Sequence, residues 1–530
     1  MKKDSHLHYF SPDWIIQDKR QLETDLCIYG GTAAGVIAAC TAAAEGLDVI
    51  LLNPAQHLGG MTSGGLGWTD FGNKHVIGGR ARQFYRDLGQ AYGKNEEWQF
   101  EPHVAETIFK RYVDEARIHL YHRHFLAEVE LQNGTIQEVA LLGGLRVRAK
   151  YYIDATYEGD LMAAAGISHT IGREANSVYG ETLNGIQVRD KHQFSHPVSP
   201  YLIADSPDSG LLPFIEAEDL VSRTGEGDRR IQAYNFRVCM TDDPSLKRPW
   251  PQPDDYNPLW YELARRWFNS PKDDYNEQLD PNRPLVPRKF DIFPHKTPDG
   301  YHKTDTNNHG PVSSDFIGGN WCWPEATYEE REKIFQRHVS WQQGFYWTMA
   351  NDPAIPERYR KAYNHWGLAT DEFTDTENWP HQLYVREARR MLADCVITEH
   401  HTMGRQREDD VVGMASYTCD SHNCTRFIHE NRVLNEGDVQ IPPTAPYGIS
   451  WRSIIPRTGE CGNLAVPVCL SASHIAYGSI RMEPVFMVLA ESAALGISIA
   501  IRNGVDLHAV PYRKLRSKLE DASQILELPR

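Results

Sequence analysis

CIYGGTAAGVIAACTAAAEGLDVILLN, residues 27 to 53, decides the fold. A short apolar run from Asp25 ends at Gly30. A tight glycine turn follows, then an alanine-rich stretch over 32 to 45 without proline, then a buried-type strand at 47 to 53. Strand, turn, small-residue helix and second strand form the layout of a dinucleotide-binding βαβ unit. In such a unit the first glycine permits the turn. The second lets backbone approach a pyrophosphate, and the third lets helix pack on strand. Gly30 and Gly35 hold the first and third places; Thr32 stands in the second, beside Gly31. The expected role of Thr32 is a hydroxyl hydrogen bond to a phosphate oxygen. Ala33 and Ala34 at the helix start offer unpaired N–H groups to an anion. Asn53 stands where an acidic residue is usual, and is expected to meet a ribose hydroxyl without charge. Taken alone, the motif also fits a βαβ unit that binds no nucleotide.

The loop after the second strand, PAQHLGGMTSGGLGWTDFGN, is dense in glycine. A nicotinamide dehydrogenase has no need of the span from Gly59 to Gly67, whereas the broad, planar ring of a flavin wants backbone close to one face. Gly59, Gly60, Met61, Gly64 and Gly65 are therefore candidate cofactor contacts; a merely flexible loop is the alternative. YYIDATYEGDLMAAAG, 151 to 166, is again strand, turn and alanine-rich helix, and brings Ala155 to the same place. RMEPVFMVLAESAALGISIAIRNG, 481 to 504, predicts a long apolar helix with Pro484 in its first turn and Asn503-Gly504 at its end. Its N-terminus, with Arg481, Met482 and Val485, is expected to face the flavin pyrimidine and stabilise negative charge there. It must also be a core helix.

Elsewhere the pattern is coarser. Residues 117 to 150 alternate and turn at NG and GG, predicting an antiparallel meander. Residues 176 to 330 are rich in Pro, Trp, Tyr and Asp, with IQAYNFRVCM at 231 to 240 as the one clear strand. Residues 326 to 350 and 355 to 366 read as helical, and 383 to 401 as an amphipathic helix or helix plus strand. GNLAVPVCLSAS, 462 to 473, reads as a strand, and no internal repeat is visible.

A chain of 530 residues exceeds one compact core. Its net charge of −16 argues against a nucleic-acid groove. No run of eighteen apolar residues appears, so no membrane insertion is expected, and the first twenty residues lack the apolar core of a secretory signal. Nine scattered cysteines without a CxxC pair fit a reducing cytoplasm and argue against a cysteine-ligated iron–sulfur cluster.

As a set, IYGGTAAG, HLGGMTSGGLGWTD, IDATYEGDLMAAAG, QAYNFRVC, LYVREARRM, SHNCTRF, NEGDVQ, YGISWRSIIP and CLSASHIAYGSIRMEPVFMVLAESAA resemble one family. It is the FAD-dependent oxidoreductase family grouped with heterodisulfide-reductase-like flavoproteins, some members of which carry the label xanthan lyase. The resemblance runs from about residue 22 to 505. It implies an α/β chain: a glutathione-reductase-type, Rossmann-like FAD domain with an inserted α+β substrate or cap domain. The corresponding division is an N-terminal extension at 1–21, FAD-binding segments at 22–175 and 401–505, a cap at 176–400 and a tail at 506–530. A threonine at position 32 is usual in that family, and an acidic residue is commoner at 53. Relatives with a [4Fe–4S] cluster hold it through clustered cysteines, which this chain lacks.

Oxidising an alcohol at flavin N5 requires a base for the hydroxyl proton. His474 is the first candidate and His422 the second; a packed structural histidine is the plain alternative for His474. Cys419, His422 and Cys424 match no common zinc spacing, so no metal is expected. Arg386, Arg452 and Arg481 are candidate anion or carbonyl clamps, although Arg386 also suits a surface pair. Asn235 and Arg237 would share one strand face. His57 stands where a histidyl–flavin bond is conceivable, and Glu158 suits either a loop turn or substrate contact. The expected reaction is hydride transfer between flavin N5 and a small polar molecule, a carbohydrate or related hydroxy compound, with an unidentified electron acceptor. A flavin-containing lyase or isomerase and a binding protein with a vestigial flavin site are the alternatives. A homo-oligomer stays open.

Overall fold

The computed structural model describes residues 7–270, 287 and 290–528. Its first layer follows directly from the opening stretch. Strand β1 (Gln21–Tyr29) leads through the glycine turn into helix α1 (Ala33–Ala44), and the chain returns as β2 (Val49–Asn53). Leu26, Cys27, Ile28 and Tyr29 are all buried, as an interior parallel strand covered on both faces requires. Gly46 at φ +82° ends α1.

Helices α2 (Gly79–Ala91) and α3 (Pro102–Glu115) precede β3 (His119–His122). Then come β4 (Leu126–Gln132), β5 (Thr135–Leu141) and β6 (Arg146–Asp154). The sheet order is β3-β2-β1-β6-β5-β4, with the short strand Leu464–Ala465 parallel to the far half of β6. β3 is parallel to β2, and only β4, β5 and the near half of β6 form the antiparallel meander. The meander predicted over 117 to 150 is thus correct from β4 onward, while β3 extends the parallel sheet.

The Glu483–Asn503 helix is buried along nearly its whole length and packs on α1 and α2. Length and hydropathy alone would let it cross a membrane; here it is the core helix under the sheet. Gly504 ends it at φ +61°. Helix Tyr512–Asp521 follows, with Leu515 and Leu519 buried.

A second sheet, antiparallel and five-stranded, is built from Phe290–Lys296, His302–Thr306, Met240–Thr241, Gly367–Ala369 and Lys247–Arg248. Helices Tyr328–Asn351 and Glu357–His365 lie with it, close to the predicted helical spans. Thr327 and Glu330 form a capping box at the start of the first.

Two expectations fail here for the same reason. IQAYNFRVCM is extended, but only Met240 belongs to a sheet strand. Phe236 exchanges both backbone bonds with the Gln342 amide, and the Val238 N–H goes to the Thr306 hydroxyl. Residues 383 to 401 form no amphipathic helix. They run extended, with a strand at Arg389–Met391 and one helical turn at Glu399–Thr402. Residues 231–240 and 383–391 are buried throughout, so side chains and loops supply the backbone partners that a ladder would otherwise give.

Candidate functional site

The turns leaving β1, β2 and β6 meet at one edge of the parallel sheet. Gly30, at φ +112°, closes the first; a Cβ there would lie 2.7 Å from the Ala155 carbonyl carbon. A Cβ on Gly35 would lie 1.9 Å from the Gly30 carbonyl oxygen. Both glycines are therefore demanded by backbone contact, and Ala155 is their neighbour.

Thr32 caps α1. Its hydroxyl accepts from the Gly35 N–H at 3.2 Å and donates its only proton to the Ala155 carbonyl at 2.8 Å. Contrary to the sequence expectation, no proton remains for a phosphate oxygen. The Ala33 and Ala34 N–H groups open the helix without intrahelical acceptors, the kind of helix end at which an anion is favoured.

Asn53 also turns inward. Its Oδ1 accepts from the Gly31 and Ala55 N–H groups, each at 3.2 Å. Its Nδ2 donates to the His57 carbonyl at 2.8 Å and to His122 Nδ1 at 3.2 Å. With every hydrogen bond spent on protein, the expected ribose contact has no donor or acceptor to use. A Cβ on Gly31 would strike the Asn53 side chain at 2.4 Å, so this pair sets the floor of the phosphate turn.

Above the floor lies a narrow cleft of about 80 Å³. Gly30 to Thr32, Asn53 to His57, Gly60 and Thr156 to Glu158 line one side; Phe125, Thr376 and His381 to Leu383 line another. The N-terminal segment closes it with His8, Tyr9 and Trp14, residues the sequence pattern places only in an unassigned extension. Glu332 accepts from the Tyr9 and Phe10 N–H groups, and Arg331 donates to the Tyr9 hydroxyl. Its floor, a glycine turn at a helix N-terminus, suits an anionic group such as a diphosphate.

His57 sits between two carboxylates, Glu106 at 2.9 Å and Asp375 at 3.0 Å. Burial alone would depress its pKa, but these hydrogen bonds outweigh it and hold it up to about 9. Both nitrogens are engaged, so His57 has no lone pair for a flavin bond. His381 stacks on it with centroids 3.8 Å apart, and burial and the His57 charge push its pKa down to about 3.

The glycine loop is packed rather than loose. A Cβ on Gly60 would meet the Tyr157 hydroxyl, one on Gly64 the Gln382 side chain, and one on Gly65 the Arg237 carbonyl, all within 2.3 Å. Gly59 packs on Phe109 in the same way. Tyr157 accepts from the Met61 N–H and donates to Glu483 at 2.7 Å, and Thr62 donates to the other Glu483 oxygen at 2.7 Å. Met61, Met482 and Val485 are buried around this link, which joins the loop to the start of the Glu483–Asn503 helix. Burial pushes Glu483 up to about 7.

On the far side of the loop is a buried polar chamber. Arg386 pairs with Asp315 at 3.1 Å and donates to Asn235 at 3.2 Å and Asn307 at 3.3 Å. Arg481 pairs with Asp420 at 3.2 Å and donates to the Tyr384 hydroxyl at 3.2 Å. Both guanidiniums lie over the Tyr384 ring, at 4.6 and 5.8 Å from its centroid. Arg237 forms a two-point pair with Asp305, which also accepts from the Trp68 N–H of the glycine loop. His422 Nδ1 donates to Asp315 at 2.7 Å, leaving Nε2 3.6 Å from Asp420. Burial raises the Asp420 pKa, but His422, Arg481 and Arg386 together bring it well below the usual carboxylate range.

Two other candidates lie elsewhere. His474 is buried, with Nδ1 2.7 Å from Glu387 and Nε2 3.1 Å from the Ser421 hydroxyl. Burial, then Arg390 and Arg173, lower its pKa to about 3. It lines no part of the cleft and its ring is fully partnered, which is a structural arrangement. Arg452 is part-exposed and paired with Asp410 and Glu408, away from both cleft and chamber. Asp315 and Asp420, which organise the chamber, carried no signal in the sequence beyond their nearness to His422 and to SSDF at 313 to 316. Among the described residues, Cys395, His401 and Glu408 lie at metal-like spacing, but His401 Nδ1 accepts from the Thr398 N–H and its Nε2 faces Glu408. Glu101, His103 and Glu372 surround Lys303, which already supplies their cation.

A family profile described as FAD dependent oxidoreductase matches residues 25–519. No curated protein matches the sequence. Among solved structures, a cyclohexanone monooxygenase is 15% identical over 26% of this chain and 27% of its own, with TM-score 0.20. OxyS anhydrotetracycline hydroxylase from Streptomyces rimosus is 14% identical over 36% and 40%, with TM-score 0.22. L-amino acid deaminase from Proteus vulgaris is 11% identical over 30% and 54%, with TM-score 0.23. Each likeness covers about half of the solved chain or less, and none bears on this chain's chemistry.

Proposed function

Because the chain belongs to the FAD dependent oxidoreductase family, we propose that it moves a hydride between flavin N5 and a small hydroxyl-bearing substrate seated in the chamber around Tyr384. FAD is the cofactor, and when bound it supplies the two-electron chemistry. The observation that carries the reading is the placement of the glycine loop: Gly60 borders the dinucleotide cleft, while Gly65 and Trp68 contact Arg237 and Asp305 of the chamber.

The chain's own residues have distinct tasks. The start of α1 holds the diphosphate. Arg386 and Arg481 orient the substrate. His422 takes the hydroxyl proton at Nε2, since its Nδ1–H is fixed on Asp315; this is the base-and-orienter arrangement of an activated imidazole. A polyhydroxylated substrate is supported by Asn235, Asn307 and Ser314 beside Arg386. The aromatic residues of the insertion do not add to this, because Trp323, Trp341 and Trp366 are buried in packing.

The test is anaerobic mixing of the FAD-loaded protein with polyols and hydroxy acids, following flavin absorbance. Wild type should bleach with a matched substrate. His422→Gln should keep FAD and bleach slower by roughly 100-fold or more. Substrate conversion without bleaching and without an acceptor would replace this reading by a lyase or isomerase.

A further inference from the structure

Three guanidinium groups in the chamber have hydrogen-bonding capacity that the protein leaves unused. Arg237 spends Nε and one terminal nitrogen on Asp305, and its other terminal nitrogen has no acceptor. Arg386 uses both terminal nitrogens on the chain and Arg481 does the same, while Nε of each has none. All three atoms are buried. A buried donor left without an acceptor is costly, so three in one chamber call for acceptor atoms brought from outside.

They belong to one place. Arg386 and Arg481 share the Tyr384 ring, and the field of Arg237 also reaches the Tyr384 phenol. The Tyr384 N–H donates to the Asn235 carbonyl, two residues from Arg237, and Asn235 Oδ1 accepts from Arg386.

The chemistry of the missing partner follows from the balance of groups. Each guanidinium is paired with one carboxylate, Asp305, Asp315 or Asp420, and Asp70, which accepts from the Tyr417 hydroxyl, adds a fourth acid whose field reaches Arg237 and Arg481 in the chamber. Its unused groups are mainly donors; Asp315 Oδ1 is the one acceptor among these ion pairs left without hydrogen-bond geometry. A neutral hydroxyl would bring a new proton along with its lone pairs. A carboxylate brings only acceptors, and guanidinium forks match it.

The geometry points to a hydroxy acid as the substrate, its carboxylate held by Arg237, Arg386 and Arg481 and its hydroxyl facing His422. This rests on the oxidoreductase reading of the chamber, and it narrows that reading to one substrate class.

The experiment titrates the FAD-loaded wild-type protein with matched pairs, D-gluconate against D-glucitol and D-glycerate against glycerol. Binding is read from the flavin difference spectrum, and hydride transfer from anaerobic bleaching. The acid of at least one pair should bind tighter than its neutral partner by roughly 10- to 100-fold. Arg386→Lys should weaken binding of the acid by a larger factor than binding of its neutral partner, and so lose most of that preference. The wild-type selectivity needs no variant, so a misfolded Arg386→Lys protein leaves the test intact. Equal or tighter binding of both neutral partners, or tighter binding of glycerol 3-phosphate than of glycerate, overturns the carboxylate assignment. Bleaching by neutral polyols without acid preference rejects this inference alone. Acid-selective binding with no bleaching by any probe leaves the carboxylate site standing and rejects the hydride reading.

Discussion

Replacing Asn53 by the aspartate that the fingerprint would lead one to expect should damage the cofactor site. The orientation of the Asn53 amide is fixed, because its oxygen accepts from two backbone N–H groups, Gly31 and Ala55. In Asn53→Asp those two bonds survive. The bonds from Nδ2 to the His57 carbonyl and His122 Nδ1 are lost, and a carboxylate oxygen faces two acceptors. Two net hydrogen bonds at about 1 kcal/mol each, plus the opposed lone pairs, give roughly 2–4 kcal/mol. The affected loop underlies Gly31, so the loss should appear as FAD affinity weakened by about 30-fold at the low end of that range.

The pH dependence is the sharper readout of this variant. In the native protein, burial holds the His122 pKa below its ordinary value; in the neutral ring Nδ1 accepts from Asn53, and once protonated it turns donor to the Ala55 carbonyl at 3.3 Å instead. Native affinity therefore persists above the His122 pKa and falls as pH drops through it. In Asn53→Asp a protonated His122 can donate to the new carboxylate. That raises the His122 pKa, so affinity is best at acid pH and falls as pH rises through it. Quenching of FAD fluorescence across acid to mildly alkaline pH should give opposite slopes for the two proteins, with Asn53→Ala weak and nearly flat. If Asn53→Asp binds FAD as tightly as native protein at mildly alkaline pH, Asn53 serves the ribose and the inward-facing account is wrong.

The other expectations are simpler. His474→Ala should leave the pH profile of flavin bleaching unchanged and lower thermal stability, because it strips a partner from the buried Glu387; a 100-fold slower bleaching with normal stability would restore His474 as the base. Glu483→Gln tests a buried acid. With its folded pKa at about 7 against an ordinary 4.5, native Glu483 carries a stability deficit that builds as pH rises from about 4.5 to about 7 and is complete on the alkaline side. The variant should unfold at a less pH-dependent temperature and gain roughly 3 kcal/mol at most on the alkaline side; an unchanged profile would refute the buried-acid assignment. Gly30→Val should purify without FAD, since its side chain would collide with the Ala155 carbonyl; normal flavin content would sink the turn assignment.

How far the sequence could be read depended on whether a signal was local. α1, the Glu483–Asn503 helix and the parallel strands were legible because alanine runs, caps and apolar strands are written in contiguous residues. The extended segments 231–239 and 383–388 were not, since one reads as a strand and the other as a helix. Their apolar content records burial, and only the fold reveals that Gln342, Thr306 and Asn423 satisfy their backbone. The chamber was half legible. Arg386, Arg481 and His422 were identifiable by residue type, whereas Asp315 and Asp420 acquire meaning only through the pairs they form. Arg452 has the same residue type and none of the placement.

The two departures from the fingerprint have a common explanation. Thr32 and Asn53 both spend their side chains on the protein, one tying the first turn to Ala155, the other tying the 53–57 loop under Gly31. Neither side chain is left a hydrogen bond for a diphosphate or a ribose at these positions. What closes the cleft is the N-terminal segment, through Tyr9 and Trp14. That segment is anchored on the Tyr328–Asn351 helix by Glu332 and Arg331. Arg331 also grips Asp160, just past the β6 turn that carries Ala155. The cleft is thus fastened to the Tyr328–Asn351 helix by the buried Arg331–Asp160 ion pair. Cutting Arg331 from Asp160 should loosen FAD without touching a single cofactor-facing atom.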